Sequence, residues 1–547
     1  MSFRSVRVFL LVSLLGGVLP LLAQPAAAQT LDDVVRYSER FPAPGGPGAG
    51  RAGAGLLSGL GAPTALFGNP AGLGWLSGSA IGGDFSVLRT RSNAQLATPD
   101  ASRTVDRTVG DYSLGSLAGA YSFPTARGAL VLGVSLHQSN AYDRGFDVAA
   151  ANRTNSITDS FLPSAYSVDE EGPLFESARS ELAYESGAID FSRTVYEEGG
   201  YPFFPAASPR APAVDGQMEL EQQENLLESG QMNEFSTGAA IEVAPGIMLG
   251  GGLNIAFGSY TFERFYRERD ASDLLPPEDL DNPERPYDPY FLEGTSLEGF
   301  YEYRLEERIE TDISGVNLRF GLSAQVTDAL RGGLLVETPT WYNLTEVFGT
   351  EMQTDFDCDF SRSGAACPVG GVDGFASGDL TGSEFEYRLR TPWRLGGGLQ
   401  YTQGGLTLAG DLEFVDWTQA RVSADDASFT ELNRSIRGLE ATVNTQVGAE
   451  YAFETIAVRG GVAVRPDPRD ESFRDVDGQN TDADRVFLSA GISYTPDEQF
   501  SIYANWMQER FDDTFPSYTV DSSLGESPVV REDVARNRIL IGITYRP

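Results

Sequence analysis

Segment after segment of this chain alternates apolar residues with polar or small ones, which restricts it to folds built from β-strands. Near the C-terminus, Ile539, Ile541, Ile543 and Tyr545 share one face of such a segment. Residues 443–451 and 486–494 repeat the pattern, and each segment closes on a tyrosine. An alternating strand that ends on an aromatic residue is typical of a wall between lipid and a lumen. A soluble β-sandwich also alternates, but it needs neither the terminal aromatic residues nor this many strands.

Counting these segments gives about fourteen, an even number, as in barrels of bacterial outer membranes. We place them at 79–90, 110–123, 127–142, 234–243, 247–262, 300–326, 330–347, 383–402, 405–418, 436–452, 456–466, 484–494, 499–511 and 536–546. The sequence therefore predicts an all-β fold, a transmembrane antiparallel β-barrel formed by residues 79–547.

The connections between these segments largely alternate between short and long. Short turns such as 244–246 and 403–404 separate long acidic connections, notably 143–233, 264–298, 348–382, 467–483 and 512–535. Because outer-membrane barrels have short periplasmic turns and long extracellular loops, we expect both termini in the periplasm. Connection 143–233 is long enough to form a cap or a binding surface, with a short helix expected at 218–227.

The first residues of the chain predict export. Residues 1–28 have the parts of a secretory signal peptide: Arg4 and Arg7 at the start, an apolar run over 8–22 and small residues at 26–28. No later segment approaches the roughly 18 apolar residues of a membrane-spanning helix. We therefore expect an exported chain that is either soluble or a β-barrel of the outer membrane.

Charge and cysteine content exclude several kinds of function. The net charge is −38, and all 40 basic residues are arginine. The sequence shows no basic patch that could neutralise phosphates, so we do not expect nucleic-acid binding. Cys358 and Cys367 lie close together in an exported chain, and we expect a disulfide between them. His137 is the single histidine, and no nucleophile motif accompanies it. We expect no enzyme activity, no cofactor and no metal site.

A long segment without strand character precedes the first strand. It is rich in glycine and alanine from 43 to 61 and ends on Phe67-Gly68-Asn69-Pro70-Ala71-Gly72-Leu73. Taken alone, Asn-Pro-Ala-Gly predicts only a turn, because proline fixes φ and glycine admits positive φ. Small residues also pack well inside a crowded pore, so we interpret residues 29–78 as a plug in the lumen.

Two stretches resemble the FadL/TodX family of outer-membrane transporters for long-chain fatty acids and other hydrophobic compounds. One is Asn69-Pro70-Ala71-Gly72-Leu73, and the other is residues 481–494, with an Asp-x-Asp-Arg entrance to a Leu-Ser-x-Gly strand. The resemblance implies that Phe67, Asn69, Pro70 and Ala71 belong to a hatch lying against an inward kink of the third strand. Gly128 and Gly133 are the backbone breaks available for that kink.

Strand parity predicts which charged side chains face the lumen. It places Arg388, Arg390 and Arg394 inside, where they are candidates to bind a ligand carboxylate. The same rule places inside a further set of arginines and possible carboxylate partners: Arg319, Arg459, Arg465, Arg538, Glu337, Asp411, Glu413 and Glu450. The alternative role, which we favour for each arginine taken singly, is a network of ion pairs that holds the barrel and the plug together.

These observations and the resemblance together predict a monomeric outer-membrane barrel surrounded by lipid. It would admit long-chain fatty acids or other hydrophobic small molecules by passive diffusion, with sideways exit at the third strand. The alternative is a docking or shuttle barrel of a protein-secretion system, whose long loops would bind a protein partner. A continuous apolar passage favours transport, whereas a closed wall with a groove on the loops favours docking.

Overall fold

The computed structural model describes residues 30–98, 101–125, 128–209, 218–271, 300–356, 375–425, 427–469, 475–476, 479–480 and 483–547. The predicted signal peptide and the predicted disulfide between Cys358 and Cys367 lie outside these residues. Among the helices that are described, none has both the length and the apolar character needed to cross a membrane.

Fourteen antiparallel strands form one closed barrel, as the alternation predicted. They are β1 (Ala80–Ala97), β2 (Ala101–Phe123), β3 (Leu130–Ala141 and Arg144–Asn152), β4 (Leu220–Ala244), β5 (Ile247–Asp270), β6 (Phe300–Gln325), β7 (Leu330–Glu337 and Trp341–Phe356), β8 (Phe375–Arg390 and Arg394–Gln403), β9 (Leu406–Asp416), β10 (Ala441–Ala452), β11 (Ile456–Arg465), β12 (Arg485–Tyr494), β13 (Phe500–Pro516) and β14 (Val529–Tyr545). Each strand pairs with its neighbours in sequence, and β1 pairs with β14 to close the wall.

The two ends of the barrel differ in their connections. Short turns lie at the end where β1 begins and β14 ends, which we call the turn end. The β8–β9 turn there consists of Gly404 and Gly405, both with the positive φ that a two-residue hairpin turn requires. The other end, which we call the loop end, carries most of the long connections. The first connection there is shorter than expected, because β1 and β2 extend to Ala97 and Ala101.

The outward and inward faces of the strands follow the predicted parity over most of the wall. On β14, Ile539, Ile541 and Ile543 are exposed, whereas Leu540 between them is fully buried. An exposed apolar band on a closed barrel is the architecture of outer-membrane proteins, because lipid contacts it.

Three of the fourteen strands are interrupted within the wall. The breaks fall at 142–143 in β3, 338–340 in β7 and 391–393 in β8. The breaks in β7 and β8 are neighbours, since the Thr340 N–H donates to the Thr391 hydroxyl at 2.8 Å and the Thr391 N–H to the Thr340 carbonyl at 3.0 Å. Both breaks contain a proline, which cannot donate to the strand ladder.

The N-terminal segment fills the lumen. It contains helix α1 (Leu31–Ser38) and three turns of 3₁₀-helix at Pro47–Arg51, Pro63–Phe67 and Pro70–Trp75. Residues 41–59 and 65–74 are buried almost throughout. A plug inside the barrel is therefore confirmed, and small residues let this chain pack against the inner wall.

A cap closes the loop end. Residues 153–209 contain α2 (Ala178–Glu185), α3 (Arg193–Glu197), the 3₁₀-helix Ile157–Phe161 and short strands at Tyr166–Val168, Pro173–Phe175, Ile189–Phe191 and Phe203–Pro205. Its apolar core packs on inward residues of β5, β6 and β7, including Tyr266, Tyr303 and Met352.

The helix expected at 218–227 is wrong, because β4 begins at Leu220. Polar residues such as Gln222 and Glu224 face inward there, which hides the alternation. The remaining elements are the 3₁₀-helices Trp417–Gln419 and Ser522–Leu524, helix α4 (Thr430–Ile436), and short strands at Arg421–Ser423, Asp475–Val476 and Gln479–Asn480.

Candidate functional site

Helix α1 lies within an aromatic cluster in the middle of the lumen. Its Val34, Val35 and Tyr37 are buried there. Six of the buried hydrophobic residues that surround the helix are aromatic: Tyr142, Tyr260, Tyr342, Tyr387, Trp417 and Phe429. Edge-to-face contacts join Tyr37 to Tyr142 and Tyr260, with ring centroids 6.2 and 6.0 Å apart. This aromatic cluster provides apolar surface suited to a hydrophobic ligand, and α1 occupies part of that surface.

The start of α1 is held by charge. The Thr30 N–H donates to Asp33 at 2.7 Å, which satisfies a free donor at the helix start. Burial raises the pKa of the Asp33 carboxyl, and the neighbouring Arg36 guanidinium opposes that rise. Arg36 also donates to Glu228 of β4 at 3.2 Å and stacks over the Tyr260 ring. The helix is therefore fixed to the wall as well as to its own first turn.

Arg40, directly after α1, joins the plug to two wall strands. Its guanidinium donates to Glu337 of β7 at 2.7 Å and to Glu413 of β9 at 2.5 Å. Arg465 of β11 donates to the Arg40 carbonyl, and Arg394 of β8 donates to the Ser38 carbonyl. No sequence motif identified Arg40, and only its position within the predicted plug could have suggested this contact.

Arg319 of β6 lies at the centre of the same network. It donates to Glu337 at 2.6 Å and to both carboxylate oxygens of Glu234, at 2.5 and 2.9 Å. It also donates to the Leu66 carbonyl of the plug at 3.1 Å. Every partner of Arg319 is buried, so forming the network costs desolvation free energy. The network is therefore stable only when each of its charges is paired. The expectation that paired charges hold plug and wall together describes this region well.

Most of the other charged residues predicted for the lumen also face it. Arg459 pairs with Glu450, and Arg538 stacks over Phe41 of the plug at 4.4 Å. Asp411 accepts the backbone N–H groups of Gly55 and Leu57 at 2.9 and 3.1 Å. Asp411 and Arg538 thus contact the plug directly, whereas Arg459 and Glu450 pair within the wall.

Asn69 is the most completely bonded residue of the plug motif. It is fully buried, and its side-chain amide donates to the carbonyls of Leu57, Leu322 and Leu334 at 2.7, 3.0 and 3.2 Å. Its side-chain oxygen accepts the Ala71 N–H at 3.0 Å. The asparagine therefore joins two parts of the plug to β6 and β7.

The structure places this motif against a different part of the wall than the sequence suggested. Pro70 and Ala71 lie against Gly250 of β5, where a Cβ would come within 2.3 Å of the Ala71 nitrogen. At Gly321 of β6 a Cβ would lie 1.8 Å from the Asn69 oxygen. The expected contact of Asn69, Pro70 and Ala71 with a kink in the third strand is therefore wrong. The wall glycines of β5 and β6 make the close approach possible.

Phe67 does contact the third strand. Its ring lies 4.3 Å from the imidazole of His137 in β3. His137 is buried, with its Nε2 3.5 Å from a Glu234 oxygen. The single histidine therefore packs between the plug and the ion-pair network.

The kink predicted at Gly128 and Gly133 is also misplaced. Gly128 lies in the turn before β3 with φ +70°, and Gly133 is paired on both sides, with Ala120 and Gly238. A Cβ at Gly133 would lie 3.0 Å from Leu73 of the plug, so this glycine serves packing. The interruption instead follows Ala141, where no glycine marks it.

Past His137, β3 leaves β2 and turns toward the plug. The Ser139 carbonyl accepts the Phe41 N–H at 2.8 Å, and the Asn140 amide donates to the Glu39 carbonyl at 3.3 Å. Among the described residues, β2 has no backbone partner on β3 between Arg103 and Ser116. We call this break in pairing the wall gap. Only side chains bridge it, including Ser113 to Gln138 at 3.0 Å.

Arg394 faces the lumen as predicted, but Arg388 and Arg390 do not. Both are exposed on the outer wall, whereas Tyr387 and Leu389 between them face inward. Thr391 and Pro392 are consecutive buried residues, so one extra residue sits between the two halves of β8. Such a bulge reverses the parity of every position beyond it, which is why the predicted face of Arg388 and Arg390 is wrong.

One small cavity lies between the plug and the wall beside the ion-pair network. A cavity of about 30 Å³ is lined by Arg40, Phe41, Phe67, His137 and Arg465, among others. A cavity of this size holds about one water molecule. A hydrophobic ligand would therefore need the plug or the neighbouring side chains to move.

No protein-family model matches the sequence, and no curated protein matches it. Solved structures do match the fold. An FadL homologue from Pseudomonas aeruginosa is similar with a TM-score of 0.51 and 15% identity, over 91% of this chain and 97% of that one. The toluene transporters TbuX from Ralstonia pickettii and TodX from Pseudomonas putida give TM-scores of 0.41 and 0.44, at 14% and 9% identity. Each alignment covers 89% of this chain and 94% of the transporter.

At these identities the comparison establishes the fold. The chain is a plugged β-barrel with the architecture of the Pseudomonas aeruginosa FadL homologue. The resemblance first suggested by two short stretches of sequence is therefore confirmed for the fold.

Proposed function

We propose that the protein is an outer-membrane transporter that admits long-chain fatty acids or other hydrophobic small molecules by passive diffusion. Its relatives in fold are named as a FadL homologue and as toluene transporters, which agrees with such a substrate. The single observation that carries the proposal is the wall gap, which opens beside an aromatic lumen. An apolar molecule in the lumen could leave through the gap into lipid without crossing the plug.

The position of the cluster relative to the gap supports this route. Tyr142 belongs to the aromatic cluster, and it is also the first residue of the interruption in β3. Its N–H donates to Gly230 of β4 at 2.9 Å, so β3 stays attached on that side while it leaves β2. We infer lateral exit between β2 and β3, although not at the glycines expected from the sequence.

Entry would require displacement of α1, because its apolar face already occupies the aromatic cluster. We further propose a monomer, since β1 and β14 of one chain close the wall. The turn end would face the periplasm, as short turns do in barrels of this class, and the cap would face outward.

A cross-link across the wall gap tests the route. Ser113→Cys and Gln138→Cys would be joined by a short bis-maleimide, with Cys358 and Cys367 replaced by serine. The matched control joins Thr402→Cys to Thr407→Cys, cross-strand partners in a normally paired region of β8 and β9. Uptake of a labelled fatty acid and of labelled toluene would be measured in cells that produce each variant. We expect the gap cross-link to lower uptake at least about tenfold and the control to leave it unchanged.

The outcomes separate the route from the function. Unchanged uptake with a closed gap would exclude lateral exit but would retain transport. An absence of uptake and of binding for both compounds in the uncross-linked protein would contradict transport. That result would favour the alternative, a docking barrel for protein secretion that binds its partner through the loops.

A further inference from the structure

Three arginines form an outward-facing group on the barrel wall, which we call the arginine patch. Arg390 of β8 lies directly opposite Arg421 of the short strand Arg421–Ser423, and Arg388 lies two residues further along β8. All three are exposed. A chain with a net charge of −38 therefore concentrates three cations on one small area of its outer surface.

The apolar band ends just below this patch. Val336, Leu395, Phe414 and Val443 are consecutive cross-strand partners on β7, β8, β9 and β10, and all four are exposed. They form a continuous apolar row across the outer wall. Because a lipid-facing band is apolar and its border is polar, the arginine patch lies just beyond the hydrocarbon layer.

Two tryptophans mark the border itself. Trp341 is the cross-strand partner of Arg390, and Trp393 lies between Arg390 and the apolar row. Both rings are exposed, at 48% and 45%. Tryptophan is enriched at the level of lipid headgroups, because its ring is apolar and its N–H is polar. The arginine patch and the tryptophans thus share the headgroup level at the loop end.

The positive charge of the patch is only partly balanced by the protein. Arg388 pairs with Asp425 at 2.5 Å in solvent, and Arg390 donates to the Gln419 carbonyl at 3.0 Å. Among the described residues, the side chain of Arg421 has no ion-pair or hydrogen-bond partner. Like charges directly opposite each other on paired strands are unfavourable. A bound anion would offset the repulsion between Arg390 and Arg421.

The other nearby carboxylates do not balance the patch. Asp416 already accepts from Thr418 and Gln419 within its own turn. Glu386 is exposed on the same outward face, but it lies beyond Arg388, away from the apolar band. The uncompensated cations are therefore the two nearest the lipid.

We propose that the arginine patch binds phosphate groups of lipid headgroups in the leaflet at the loop end. A guanidinium presents two parallel N–H groups to a phosphate, and the patch offers three guanidinium groups on one outward face. The adjacent tryptophans would contact the apolar part of the same lipid. This binding goes beyond transport and depends only on the barrel spanning a membrane.

Lipid binding by the full-length protein tests the proposal. The probe is lipid A with and without its phosphate groups, added to protein in dodecyl-maltoside micelles, which contain no phosphate. The test variant carries Arg388→Gln, Arg390→Gln and Arg421→Gln together. The matched control is Arg308→Gln, since Arg308 is equally exposed on the outer wall but pairs with Glu263 and Glu310. We expect the triple variant to bind phosphorylated lipid A at least about tenfold more weakly, and the control to bind it normally.

Several results would overturn the proposal. One is equal binding of lipid A by the triple variant and the native protein. Another is equal binding of dephosphorylated and phosphorylated lipid A by the native protein. A third is a loss of binding in Arg308→Gln as large as that in the triple variant. Competition by inorganic phosphate at the same concentration would identify a free anion, and not a lipid, as the ligand. Should the triple variant fail to fold, Arg421→Gln alone is expected to weaken binding about fivefold. Because uptake through the wall gap is measured separately, failure here leaves the proposed transport untouched.

Discussion

Arg390 and Arg394 lie four positions apart in β8, yet they have opposite surroundings. Arg394 is 4% exposed, donates to Glu413 at 2.9 Å and holds the Ser38 carbonyl of the plug. Arg390 is exposed on the outer wall, where its side chain donates to the backbone carbonyl of Gln419. The difference arises at Thr391 and Pro392, which together insert one residue into the alternation. One residue thus decides whether an arginine holds the plug or faces outward.

The same contrast separates the two groups of arginines as a whole. The arginines of the lumen share carboxylates in a network with several buried members. Those of the arginine patch have one exposed carboxylate, Asp425, among the described residues. A change in the lumen should therefore affect folding and plug attachment. A change outside should affect interactions with the surroundings alone.

The largest effect is expected from deletion of Pro392. Removing the extra residue restores strict alternation along β8. In one half of the strand, the side chains that face inward must then face outward, and the outward ones inward. Either Arg388 and Arg390 enter the lumen or Arg394 leaves it, and both arrangements leave charges unpaired. We expect the deletion variant to give no folded barrel in a heat-modifiability assay on gels. Pro392→Ala, which keeps the residue count, should fold; a folded deletion variant with native stability would contradict the role given to the bulge.

A smaller effect is expected from Arg394→Gln. Glu413 would keep Arg40 and Asn444 as partners, so the change removes one charged hydrogen bond and the contact with Ser38. We expect unfolding in urea to become easier by about 1.5–3 kcal/mol. Arg390→Gln, in the same strand, is the matched control and should leave the urea midpoint unchanged. Equal shifts in both variants would show that the two arginines do not differ as described.

The smallest effect on stability is expected from Asn69→Ala. Three backbone carbonyls, on Leu57, Leu322 and Leu334, would lose a donor inside the barrel. We expect a loss of about 1–2 kcal/mol and faster proteolysis of residues 43–61 in the folded protein. Ser58→Ala, a nearby plug change that leaves the wall contacts of Asn69 in place, serves as the control. If uptake stays at the native level while proteolysis rises, the motif fixes the plug but does not control passage.

The wall was predictable because its signal is local. Alternation in segments such as 486–494 specifies a strand, its lipid face and its approximate ends. The plug was predictable because a glycine-rich segment ahead of a barrel has few other places to pack. The helix expected at 218–227 failed because Gln222 and Glu224 face inward, where Gln222 donates to Glu268 of β5 and Glu224 accepts from Ser517. These partners are far apart in the chain, so the sequence does not reveal them.

The sequence by itself determined the barrel, the number of strands, the pattern of turns and the identity of the lumenal charges on unbroken strands such as β6 and β14. Only the tertiary structure decided where Asn69 binds, that Arg40 joins β7 to β9, and that β3 leaves β2 after His137. These features depend on contacts between residues far apart in the chain. A short stretch of sequence shows its own periodicity. It does not show which distant carbonyl or carboxylate its residues will contact, nor where one inserted residue reverses the inward and outward faces of a strand.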